Sequence, residues 1–133
     1  NINFKRIKVR KIINKFKKSG LEKDKLFLTL NNLRSSNNAM KFYTEQNKKN
    51  NLFFDKKNNK LFLNEIFFKQ PNEVVLRSFS DFLRIIGGNY FSARGKKIEY
   101  ILQKISKDTL KKETLAGCII KKINQTVIIS KEC

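Results

Sequence analysis

The sequence predicts a mainly helical α+β fold, with about four helices, a short mid-chain hairpin and a C-terminal β-hairpin. Three observations carry that expectation. Apolar residues recur at helical spacing in four segments. Two other segments are short runs rich in aromatic or β-branched residues around Asn-containing turns. No Pro/Gly/Ser-rich linker and no internal repeat interrupts the 133 residues, which amount to about one domain and can bury a core without disulfide staples.

Phe4, Ile7, Ile12, Ile13 and Phe16 alternate with Lys and Arg, so the first helix covers about residues 4–18, apolar on one face and basic on the other. Gly20 is a suitable stop for it. Leu26, Leu30, Leu33, Met40 and Tyr43 mark the second helix, and the stretch LRSSNNAM is poor enough in helix formers to allow a kink or break. NLFFDKKNNKLFLN reads as two short strands about a turn at Asn58-Asn59. Pro71 opens a third helix whose core face is Val75, Phe79, Phe82, Leu83 and Ile86, and Gly87-Gly88 closes it. NYFSARGKK is a loop into a fourth helix marked by Ile98, Ile101, Leu102 and Ile105. TLAGCIIKKI and TVIIS, separated by Asn124-Gln125, form the terminal hairpin.

Composition excludes several kinds of chemistry. There is no histidine, so the commonest general base and metal ligand are missing. Two cysteines make neither a disulfide framework nor a four-ligand zinc site. The carboxylates are scattered, without the spacing of a metal or acid/base pair, and Gly87-Gly88 lacks the context of a phosphate loop. No metal, no cofactor and no catalytic residue is expected in this segment. No run of ~18 apolar residues exists, and the N-terminus is basic and periodic rather than a signal peptide. The expectation is a cytoplasmic chain with no membrane partner.

The net charge of +19 is the positive signal. It suits a polyanionic partner, although a Lys-, Asn- and Ile-rich composition is also what an AT-biased genome drifts toward. Arg6 and Arg10 are i,i+4 neighbours on the first helix and can clamp phosphates with two guanidinium forks; the plainer account is a solvated helix flank. Arg94, Lys96 and Lys97 stand where a helix begins, and backbone amides there favour a phosphate; the plainer account is a basic loop. Lys121-Lys122 is expected to be exposed at a hairpin turn. Cys118, between Gly117 and two isoleucines, is best read as a small apolar core residue, with Gly117 marking a bulge or a close backbone approach.

These stretches together resemble a known family. NINFKRIKVRKIINKF is similar to the segment closing the catalytic domain of tRNA(Ile)-lysidine synthases, an N-x-x-F-x-R-x-x-[IV]-R pattern met here by Asn1, Phe4, Arg6 and Arg10. SGLEKDKLFLTLNNLRSSNNAM resembles the long helix that follows. LRSFSDFLRIIGGNYFSARGKKIEYILQKI resembles the family's substrate-binding domain, with its Leu-Arg pair, Gly-Gly and Ala-Arg turn. TLAGCIIKKINQTVIISKE resembles its terminal hairpin, with a Thr-Leu-x-Gly-Cys strand. The family's ATP-pyrophosphatase loop, Ser-Gly-Gly-x-Asp-Ser, is not in this sequence, so the resemblance implies the C-terminal part of a longer enzyme. It divides the chain into residues 1–19, a linker helix closing the catalytic domain, and residues 20–133, a tRNA substrate-binding domain.

The parent enzyme so implied is an ATP-dependent, Mg-dependent carbon–nitrogen ligase. It adenylates C2 of the wobble cytidine (position 34) of tRNA(Ile) with a CAU anticodon, then lets L-lysine displace AMP. Decoding changes from AUG to AUA. The segment itself would hold tRNA through Arg6 and Arg10, with Arg94, Lys96 and Lys97 as further phosphate contacts, and would be inactive alone. A homodimer is among the assemblies the resemblance implies. The alternative is a free-standing basic RNA- or DNA-binding module without enzymatic activity.

Overall fold

The structure is a computed structural model and describes residues 2–18, 20, 22–89 and 95–132. It is α+β and mainly helical, as expected. Helix α1 spans Ile2–Lys18, and Gly20 follows in the left-handed region (φ 88°), its amide bonded to the Lys17 carbonyl at 3.1 Å. Helix α2 spans Lys23–Asn50 without interruption. The weak point at LRSSNNAM stays helical. Ser and Asn each cost only about half a kcal/mol against Ala, and neither removes a backbone hydrogen bond as Pro would.

Two compact units result, Asn1–Ala39 and Met40–Cys133. In the first, no described side chain is buried; only Ile13 and Leu26 are half-buried. The second contains the core.

That core unit begins with the end of α2. Buried Asn47 donates to the Phe67 carbonyl and to Ser78 Oγ, both at 3.3 Å, and accepts from Asn51 Nδ2 at 2.8 Å. Strands β1 (Leu52–Asp55) and β2 (Lys60–Leu63) follow, as the sequence predicts. Asp55 organises their turn, accepting from the Lys57 amide at 3.0 Å and Asn58 Nδ2 at 2.7 Å, while Asn59 takes φ 51°. A one-turn helix, α3 (Glu65–Phe68), was not anticipated; Asn64 caps it by accepting from the Phe67 amide at 3.0 Å. Helix α4 (Asn72–Gly87) starts after Pro71 and stops at Gly88, which is left-handed (φ 70°). Helix α5 covers Lys96–Ser106.

The C-terminal region has three strands rather than two: β3 (Lys112–Leu115), β4 (Cys118–Ile123) and β5 (Thr126–Lys131). Ala116 (φ 54°) and Gly117 (φ 75°) split the expected first strand. Two consecutive positive-φ residues form a two-residue hairpin loop whose twist matches the strands it joins, so Leu115 pairs with Cys118. The two predicted hairpins are also not separate. Leu61 pairs with Ile129 and Leu63 with Val127, fusing all strands into one antiparallel sheet of order β1-β2-β5-β4-β3.

Every core residue predicted for α4 is buried, with Ile98, Ile101 and Ile105 of α5 packed beside it on Leu61, Leu63, Ile120, Val127 and Ile129. Each such side chain contributes about 1.5–3 kcal/mol by leaving water. Gly87 lies so close to the β3–β4 turn that a Cβ there would overlap the Ala116 carbonyl oxygen. The same carbonyl accepts from Asn89 Nδ2. The Gly-Gly and Leu-x-Gly-Cys motifs are therefore two sides of one contact.

Candidate nucleic-acid interface

Helix α1 carries eight Lys or Arg in 17 residues and no Asp or Glu. Arg6 and Arg10 are both exposed on it, and their i,i+4 spacing puts them on one face. Lys96 and Lys97 are exposed in the first turn of α5, after Gly95 (φ 94°), which supplies no side-chain cap. Two cations at the positive end of a helix oppose its dipole by about 0.3–1 kcal/mol each when no anion is near. Arg94 lies outside the described residues. Arg6 and Arg10 belong to one compact unit, Lys96 and Lys97 to the other.

Within Met40–Cys133, ion pairs join Lys48 to Glu45 and Asp81, Lys69 to Glu65, Arg77 to Glu73, Lys104 to Glu113 and Lys122 to Asp108. Lys104 has its pKa raised, first by the hydrogen bond to Glu113 and next by Tyr100.

Lys122 corrects the expectation of an exposed lysine pair. Its side chain is only 11% exposed, pairing with Asp108 at 2.8 Å and donating to the Ile105 carbonyl at 3.0 Å. Lys121 remains exposed. Both lie within β4, where successive side chains take opposite faces, and the turn starts only at Asn124. Phe53 and Phe62 lie in the stretch expected to form two short strands. Only the strand register brings them into a row with Lys121.

A groove of about 670 Å³ opens between α3, α4, α5 and the β4–β5 end. Glu65, Glu73 and Glu99 line it with Lys69 and Lys122, and Glu65 pairs with Lys69, Glu73 with Arg77 and Lys122 with Asp108. Cys118 is no nucleophile either. Its thiol is buried and donates to the Leu83 carbonyl at 3.2 Å. Burial pushes its pKa up to about 11, with the Glu132 carboxylate adding to the rise and the Gly87 amide opposing it. Among the described residues no three His, Cys, Asp or Glu side chains gather to hold a metal, and no helix is long and apolar enough to cross a membrane.

Fold and charge thus define a class: a strongly basic α+β segment whose described residues offer cations but no bond-making constellation. Its homologues are more specific. The chain is 38% identical over 66 residues to the tRNA(Ile)-lysidine synthase of Rickettsia akari (strain Hartford), a match covering 50% of this chain and 15% of that protein. It is 41% identical over 66 residues to the protein of the same name from Rickettsia rickettsii (strain Sheila Smith), covering 50% and 14%, and 39% identical over 66 residues to that of Rickettsia prowazekii (strain Madrid E), covering 50% and 15%. The family resemblance read from the sequence stands: homologues of this chain are tRNA(Ile)-lysidine synthases, and the similarity falls in their C-terminal part. The match spans 14–15% of the length of these relatives. No protein-family model and no solved structure matches the chain.

Proposed function

We propose that this chain is the tRNA-holding part of a tRNA(Ile)-lysidine synthase. The parent enzyme would use ATP and Mg²⁺ to join L-lysine to the wobble cytidine of tRNA(Ile), with the chemistry performed by a catalytic domain outside this sequence. Residues 1–19 would serve as the linker to that domain and residues 20–133 as the substrate-binding domain. The observation that carries the reading is that a chain with lysidine-synthase homologues over half its length also has helix α1, with eight cations and no carboxylate in its 17 residues. A segment that grips folded RNA needs phosphate contacts and shape rather than acid/base groups.

Arg6, Arg10, Lys96 and Lys97, with Arg94, are the assigned phosphate contacts. Filter binding of the chain to tRNA should fall with salt on a log–log slope of about −0.7 to −0.9 per phosphate neutralised. Arg6→Ala with Arg10→Ala should weaken binding several-fold and flatten that slope by about 1.5. Equal affinity for the double variant and the parent at low salt would remove the assignment. Joined to a catalytic domain, the chain should prefer tRNA(Ile) with a CAU anticodon. A coding frame upstream of Asn1 should then contain the Ser-Gly-Gly-x-Asp-Ser loop.

A further inference from the structure

The five-stranded sheet has one packed face and one open face. Helices α4 and α5 cover the side bearing Leu61, Ile120 and Ile129. Across the other side the register aligns Phe53, Phe62, Ile128, Lys121 and Lys112 in one row. The neighbouring row of this face is Asp55, Lys60, Ser130, Ile119 and Thr114. Phe53 is 67% exposed on edge strand β1, its ring 6.1 Å from that of Phe62. Lys60, Lys112 and Lys121 are exposed and take part in no ion pair among the described residues. Asp55, the carboxylate of this face, is hydrogen-bonded to Asn58 and the Lys57 amide and stands directly across from Lys60; the Asn58 bond foremost, helped by the Lys60 charge, holds its pKa down.

Cross-strand aromatic pairs steady a hairpin by about 0.2–1 kcal/mol, which accounts for the ring contact. It does not account for a phenylalanine left mostly in water at one end of a row whose other end is Lys121 and Lys112. That combination is what an unpaired nucleotide requires: a ring on which its base can stack, and cations within reach for its phosphates. A duplex hides its base faces and could use only the lysines. The row turns cationic after Ile128, which suits a polyanion with stacking bases better than a purely apolar partner.

We infer that this open sheet face binds an unpaired stretch of RNA, stacking a base on Phe53 and Phe62 and setting its phosphates against Lys60, Lys112 and Lys121. The inference rests on the tRNA-holding reading only for the kind of polymer, and it uses none of Arg6, Arg10, Arg94, Lys96 or Lys97.

The test is fluorescence anisotropy of the full chain with a labelled oligouridine of about ten nucleotides, a length typical of single-strand sites, and with an RNA duplex of equal length. Phe53→Leu should weaken oligouridine binding about tenfold, the loss of one stacked base, and leave duplex binding unchanged. Phe53→Trp should retain it. Lys121→Ala should flatten the salt slope by about 0.7. Circular dichroism of each variant should match the parent, because Phe53 is outside the core. Equal oligouridine affinity for the parent and Phe53→Leu overturns the inference. So does concentration-dependent self-association that Phe53→Leu abolishes while oligouridine binding persists. Intact tRNA bound through Arg6 and Arg10 with no role for Phe53 sinks this inference alone. Phe53-dependent oligouridine binding without tRNA binding sinks the functional reading alone.

Discussion

At Cys118, burial decides the chemistry of the side chain. The thiol sits in the core with one acceptor, the Leu83 carbonyl at 3.2 Å, and an environment that disfavours thiolate. Its ordinary value of 9.0 is pushed up to about 11. Between those values the unfolded chain gives up the proton and the native chain keeps it, so stability falls as pH rises through that window. Below about pH 9 the full contribution is present. Replacing Cys118 by Ala should cost about 1 kcal/mol at pH 8, for the lost sulfur and its hydrogen bond. Urea melts at pH 8 and pH 10 should show that gap narrowing at the higher pH. A gap that stays constant would mean some other group titrates. The core role of Cys118 was legible from its apolar neighbours. That of Lys122 was not, because adjacent lysines look alike in a sequence and part only when a strand sends them to opposite faces.

Among the elements, α4 and α5 were the most legible. Each has a full apolar stripe at helical spacing, and that stripe is the buried face. Helix α3 escaped notice because four residues cannot display a period; its signal is the Asn64 cap alone. Helix α2 runs through its Asn/Ser stretch because propensity is a weak prior over 28 residues with no Gly or Pro. Helix α1 poses the opposite problem. Its apolar residues Phe4, Ile7, Ile12 and Phe16 are all exposed, and Arg6–Arg10 and Lys11–Lys15 are like-charged i,i+4 pairs that oppose the helix. A peptide of residues 2–18 should therefore be largely coil in low salt and gain helical ellipticity with NaF or polyphosphate, which screen or bind its cations. Helicity independent of both would remove like-charge repulsion as a property of α1.

For the whole molecule, the uneven distribution of core matters most. Residues 3–39 bury no described side chain except Ile13 and Leu26 in part, whereas Met40–Cys133 holds the complete hydrophobic cluster. A protein starting at Met40 should melt cooperatively, with a midpoint within about 5 °C of the full chain, the shift that 1 kcal/mol produces in a domain of this size. Calorimetry showing a larger fall would mean that residues 1–39 carry core stability. Local pattern alone determined the class of fold, the buried faces of α4 and α5, both turns at Asn residues and the charge excess, because each depends on composition or on neighbours within a few positions. Tertiary structure decided the rest. The pairing of β2 with β5 joins residues more than sixty positions apart, and no local period specifies such a partner. That single long-range ladder merges two hairpins into one sheet and brings Phe53 and Lys121 onto one face.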